Sequence, residues 1–173
     1  VQTASGDVSL EGIFGAALEV KTASGSQNLK GRFASGKLRS ASGDIEISQA
    51  SFSEDLAVEA ASGDLEISNV LAQELRLRSA SGDVRMDRVC AEILDLESTS
   101  GDLDLEQVLS KENFLCRTRS GDVVLKRCDG PHMEFTTISG DISGSLLHGK
   151  QFSYQTVSGD MNLHGGTPQG TCN

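Results

Sequence analysis

The chain has 173 residues, enough for one domain, and carries 25 Asp and Glu against 15 Lys and Arg, a net charge of −10. A field of that sign repels phosphate backbones, which argues against nucleic acid and against a bare anionic membrane surface as partners. No run approaches the ~18 apolar residues of a transmembrane helix, and no charged-then-apolar start reads as a signal peptide.

Along the chain the tripeptide Ser-Gly-Asp recurs, with glycines at Gly6, Gly25, Gly43, Gly63, Gly82, Gly101, Gly121, Gly140 and Gly159, spaced 18 to 20 residues apart. Each is preceded by Ser, and each except Gly25 is followed by Asp. A fixed period of this size marks a short unit stacked on copies of itself. The first unit opens with Val1 at a position that is apolar in the units that follow, so Val1 is read as a core residue. Because Val1 falls in mid-unit, the chain reads as a piece of a longer protein whose export signal or anchor would lie upstream.

The second and third units are irregular. Ser26 stands for Asp, Gln27 and Arg32 for apolar residues, and Gly36 for the first core leucine, which predicts a loop or bulge near Ser35 and Gly36. From Gly43 onward the pattern is regular, as in LRLRSASGDVRMDRV from Leu75 to Val89. Leu75, Leu77, Ser79 and Ser81 alternate with Arg76, Arg78 and Ala80, the period of a strand with one buried face. After Gly82 and Asp83 the phase shifts by one, so that Val84 and Met86 become the inward members. The Gly-Asp step is therefore a corner between two short strands, and a second corner is expected near the apolar residue seven after the glycine. In the last units the same inward slots hold Phe114, Cys116, Cys128, Met133, Phe135, Leu147, Phe152, Tyr154 and Met161. Past Leu163 the pattern dissolves into a Gly- and Pro-containing tail, 164–173, in which Pro168 lacks the N–H needed for further pairing.

Apolar residues that step by two rule out a helical repeat. The predicted fold is all-β, a single-stranded parallel β-solenoid of about nine coils over residues 1–163, a rod roughly 43 Å long. Outward positions agree with in-register stacking: four before the glycine the sign alternates through Arg39, Glu59, Arg78, Glu97 and Arg117, which places opposite charges side by side. The start carries no cap of its own. Its edge is expected to be covered by the missing N-terminal part of the chain, or to pair with a second molecule in a weak head-to-head dimer.

Three features could carry a site. The first is the acidic column Asp44, Asp64, Asp83, Asp102, Asp122, Asp141 and Asp160, together with Asp7. It reads either as a row of Ca²⁺ sites or as a turn ladder in which each carboxylate accepts amide hydrogens. The turn ladder is favoured, because the Gly-rich nine-residue pattern of calcium-binding rolls is absent. The second is an outward stripe two before the glycine: Ala41, Ala61, Ala80, Thr99, Ile138 and Val157, with Ala4, Ala23 and Arg119 in the same slot. It reads as a docking face or as a corner with room only for small side chains. The third is the serine column. His132, His148 and His164 occupy other slots, and no Ser has a base in a matching slot, so no catalytic residue and no cofactor are expected. The four cysteines, Cys90, Cys116, Cys128 and Cys172, contain no C-x-x-C pair and read as small hydrophobes at 116 and 128 and a spare thiol at 172.

The motifs LRLRSASGDVRM, AVEAASGDLEIS and LDLESTSGDLDLEQV resemble those of a large bacterial family of β-strand-repeat proteins, grouped as adhesins from their shape and nicknamed the toastrack domain. The resemblance covers residues 1–163. It implies a parallel β-solenoid that commonly follows a helical or membrane-linked segment, often in cell-envelope stress systems, with no established catalytic residues. The function it implies is a non-catalytic binding or interaction module of the bacterial cell envelope or surface, taking a protein or cell-surface ligand. A cytoplasmic, self-assembling scaffold similar to the bactofilins is the alternative.

Overall fold

A computed structural model describes residues 1–165, all of whose regular structure is β. The strands are β1 (Gln2–Ser5), β2 (Val8–Ser24), β3 (Gln27–Ser42), β4 (Ile45–Phe52), β5 (Asp55–Ala60), β6 (Leu65–Ser81) and β7 (Val84–Ser100). They continue as β8 (Leu103–Ser120), β9 (Val123–Lys126), β10 (His132–Ser139), β11 (Ile142–Leu147), β12 (Gln151–Ser158) and β13 (Met161–Gly165). Every pairing is parallel and joins one coil to the next: Leu77 lies beside Val58 and Leu96, and Val84 beside Leu65 and Leu103. The fold is a β-solenoid of about nine coils. The last strand runs through His164 to Gly165, two residues past the expected boundary, while Pro168 and the rest of the tail lie outside the described residues.

The inward slots form one continuous core. Leu56, Leu75, Leu94 and Phe114 stack in one column, and Leu38, Val58, Leu77, Leu96, Cys116 and Phe135 in the next. Toward the C-terminal end the core turns aromatic: Phe135 meets Phe114 edge-on at 5.2 Å and stacks on Tyr154 at 5.5 Å. The end coils differ from the expected burial. Val1 is 62% exposed, and Phe152 and Met161 are 40% and 42% exposed, because a terminal coil has a neighbour on one side only.

The second corner lies one residue earlier than expected. Six residues after the corner glycines from Gly43 to Gly140, Gln49, Asn69, Arg88, Gln107, Arg127 and Leu146 all adopt φ between 51° and 56°, the left-handed conformation. This rotation aims the next residue (Ala50, Val70, Val89, Val108, Cys128, Leu147) into the core.

The irregular early units keep the fold by substitution. Ser35 and Gly36 lie inside the continuous strand β3, and the irregularity expected there is taken up by the facing coil: Phe33 pairs with Phe52 but Gly36 with Leu56, so one extra residue is accommodated at the break between β4 and β5. Gly36 is buried, and the space of a leucine side chain there is taken by the Phe52 ring and Leu56. Phe52 also stacks on Phe33 at 5.7 Å. A second irregularity falls between Leu29 and Gly31, where the short 18-residue unit drops a position. Gly31 thereby pairs with Ile13 and Ala50, and Arg32 points to solvent rather than replacing a core residue. Gln27 does enter the core, where its Nε2 donates to the Thr22 hydroxyl and the Arg39 carbonyl, each at 2.8 Å.

Leu77 is fully buried, and an Asp there would bring a charge into the core with no partner. Leu77→Asp is expected to abolish the cooperative thermal transition followed by circular dichroism. A variant that melts at the wild-type temperature would contradict the assigned strand phase.

Candidate functional site

The Ser-Gly-Asp corner is built from a close glycine-on-glycine contact and two side-chain hydrogen-bond ladders. The glycine takes φ of 114° at Gly63, Gly82 and Gly101, a value that other residues rarely adopt. It also lies directly beneath the glycine of the preceding coil: a Cβ on Gly82 would collide with the Gly63 carbonyl oxygen. The serine before it donates its hydroxyl to the preceding coil, Ser81 to the Ala61 carbonyl and Ser100 to the Ala80 carbonyl, both at 3.2 Å. The aspartate after it accepts from the following coil. Asp44, Asp64, Asp83 and Asp102 each take the N–H of the next Asp on Oδ1 at 2.9 Å, and Asp122 and Asp141 do so at 2.8 and 2.7 Å. Asp7 accepts the Ser26 N–H in the same way at 2.8 Å, so the amide of the unit without its own Asp is still served.

This geometry assigns the acidic column to the backbone. One oxygen of each carboxylate from Asp44 to Asp141 is committed to an amide, and the column follows the corner instead of converging on a point. Among the described residues no group of three or more His, Cys, Asp and Glu side chains is arranged to hold a metal ion.

The stripe two before the glycine lies on the outer face formed by β3, β6, β7, β8, β10 and β12, with Ala61 just past the end of β5. Ala41, Ala61, Ala80, Thr99, Arg119, Ile138 and Val157 are all exposed there. Ile138 is 49% and Val157 74% exposed, and their strands keep the same register as the alanine coils. The slot therefore has room for a large side chain, and the alanines are not imposed by crowding. Beside the stripe runs the charged column, in which Arg39 meets Glu59 at 2.8 Å and Arg78 meets Glu97 at 3.3 Å. Its hydrogen bond to Arg39 holds the Glu59 carboxyl below the usual carboxylate range and raises the Arg39 guanidinium in turn. Column and stripe together border a shallow trough lined by Arg39, Ala41, Glu59, Ala61, Arg78 and Ala80.

The remaining candidates separate. His132 bonds to Gln151 at 2.7 Å and His148 to Asp129 at 2.9 Å, and both pairs are away from the serine column. Cys116 and Cys128 are buried free thiols, pushed up to about 12 chiefly by burial. Cys90 is disulfide-bonded, and Cys172 lies outside the described residues. The left-handed residues of the second corner escaped the sequence reading. The signal was nonetheless present in Gly12, Gly31 and Asn69, residue types that tolerate positive φ and share that slot.

The Toastrack DUF4097 family pattern matches the chain over residues 1–88 and again over 91–171. The chain belongs to that family. No curated protein and no solved structure is significantly similar to it.

Two outcomes follow from the corner and the thiols. Asp83→Ala removes the acceptor of the Asp102 amide and is expected to cost about 1 kcal/mol in urea unfolding. Asp83→Asn keeps an acceptor and relieves like charge, so it should stay within about 0.5 kcal/mol of wild type, with Ca²⁺ leaving both melting temperatures unchanged. A Ca²⁺-dependent rise that Asp83→Asn abolishes would restore the cation reading. Cys116 and Cys128 should resist alkylation at pH 8 in the folded protein and react once it is denatured, as read by peptide mass spectrometry. Labelling of the native protein at the rate of a free thiol would contradict their placement.

Proposed function

We propose that this member of the Toastrack family is a non-catalytic interaction module of the bacterial cell envelope, and that it binds through the flat outer face bearing the alanine stripe. One observation carries the reading. The stripe stays small over Ala23, Ala41, Ala61 and Ala80 in a slot that accepts Arg119, Ile138 and Val157 with their side chains exposed. A flat strip without long side chains costs little rotamer entropy to cover and lets an extended partner approach the sheet closely. The charged column beside it supplies alternating Arg and Glu side chains that would fix the direction in which a partner lies. The hydroxyls of Ser42, Ser62, Ser81 and Ser100 already donate to backbone carbonyls, which supports a role other than nucleophilic catalysis. Placement at the envelope rests on the family resemblance.

The test is site-specific photo-cross-linking in the cells that make the protein. A photoreactive residue at Ala61 or Ala80 should give discrete adducts in the envelope fraction, while one at Glu66 or Arg85, on the far side of the corner, should give none. Equal labelling from both faces, or none from either, would overturn the proposal.

A further inference from the structure

We propose that a disulfide between Cys90 and Cys172 straps the segment after Gly165 back along the outside of the rod, over the column of residues beside the second corner. The pairing follows from a count. The chain has four cysteines. Cys116 and Cys128 are free and buried, and Cys90 is disulfide-bonded. Cys172, outside the described residues, is the one sulfur left to pair with it. The position of Cys90 suits a partner that arrives from outside. Its neighbours Val89 and Ala91 are buried and point into the core, so strand alternation turns Cys90 outward. It sits between Leu71 and Leu109 in one in-register column. Leu71 is 43% exposed in that slot, whereas Cys90 is 8% exposed although it stands outside the packed core. A slot that is open at Leu71 is closed at the residue that carries the disulfide.

The reach of the chain fixes the route. From Cys90 the column continues through Leu109, Asp129 and His148, one residue per coil. Gly165 pairs with Leu147 from the coil after it, so Cys90 lies four coils back from Gly165. Four coils measure about 19 Å at the usual strand spacing. The seven residues from Gly165 to Cys172 span at most about 25 Å when extended. These lengths match for a nearly straight path along the rod, over His148, Asp129 and Leu109, and leave no slack for a path around it. Residues 166–171 carry no charge and no large apolar side chain, and Pro168 biases the residue before it toward extended backbone.

Closing the strap is a two-electron oxidation. The Cys90 and Cys172 thiols give up two protons and two electrons, and a small-molecule disulfide such as oxidised glutathione takes them and leaves as two thiols, by way of a mixed disulfide. Cys116 and Cys128 do not compete, because both are enclosed in the core and out of reach of exchange. Bonds of this kind persist in oxidising compartments, so the strap suits a chain that works outside the reducing cytosol. It follows the second corner rather than the alanine stripe, so it stands or falls separately from the binding role proposed above.

The test uses the whole chain, equilibrated with reduced and oxidised glutathione and then denatured in iodoacetamide. Peptide mass spectrometry should find Cys116 and Cys128 alkylated and one linked peptide pair holding Cys90 and Cys172, and the number of free thiols should double on reduction. Cys172→Ser tests the covered column. The variant should melt cooperatively, and in its folded state Cys90 should alkylate at pH 8 at least about tenfold faster than Cys116 and Cys128. Wild type held in excess reductant gives the same comparison without a substitution. Four free thiols after equilibration, a bond from Cys90 to Cys116 or Cys128, or Cys172 bonds between two chains would overturn the pairing. A Cys90 thiol that stays as protected as Cys116 once the bond is open would overturn the strap.

Discussion

The contact on which this structure depends is between glycine and glycine. At each corner one coil sets its carbonyl oxygen where the next coil's Cβ would stand, and only a residue without a Cβ, held at positive φ, permits that approach. The close stacking brings the neighbouring Ser hydroxyl and Asp carboxylate within hydrogen-bonding range of the adjacent coils. Three residues thereby set the axial spacing, and the strands on either side inherit it. In-register parallel pairing, the continuous core columns and the alternating surface charges are consequences of that spacing.

The same constraint explains where the chain tolerates deviation. Where Ser26 replaces Asp, its amide is still accepted by the Asp7 carboxylate of the preceding coil, so that rung of the ladder is kept. Gly36 can replace a leucine because Phe52, from the following coil, fills the vacated volume and stacks on Phe33. No corner glycine is replaced anywhere in the array. The second corner is looser in its demands. Gln, Asn, Arg and Leu all adopt the left-handed conformation there, at a cost of roughly 1–2 kcal/mol each that the burial of the following residue offsets.

Much of the fold was legible because a period-two pattern repeated nine times leaves one phase consistent with a dry core. Leu77, Leu96 and Val84 could be placed inside from alternation alone, and Arg39, Glu59, Arg78 and Glu97 fell in one outward column. Arg32 was misplaced because fixed counting from Gly25 ignores the shortened unit, a shift visible only through its strand partners. The second corner was misplaced by one because its defining feature is a backbone rotation that side-chain hydrophobicity does not report. Val1, Phe152 and Met161 follow the inward pattern yet remain exposed, since burial in a stack requires a neighbour on both sides. Of the candidate sites, the alanine stripe was legible as a position, but its freedom from crowding emerged only when Ile138 and Val157 proved exposed in the same slot.

The central claim is that coils stack in register one repeat apart, and cysteine cross-linking measures it directly. Arg78 and Glu97 are in-register partners on neighbouring strands, where Cα atoms lie about 5 Å apart, within disulfide reach. Thr99 sits on the same face two residues farther along, at about 8 Å from Arg78, beyond it. The double variant Arg78→Cys, Glu97→Cys should therefore oxidise readily to an intramolecular disulfide, and Arg78→Cys, Thr99→Cys should not. Equal cross-linking of both pairs, or preference for the second, would contradict the register and the corner that sets it.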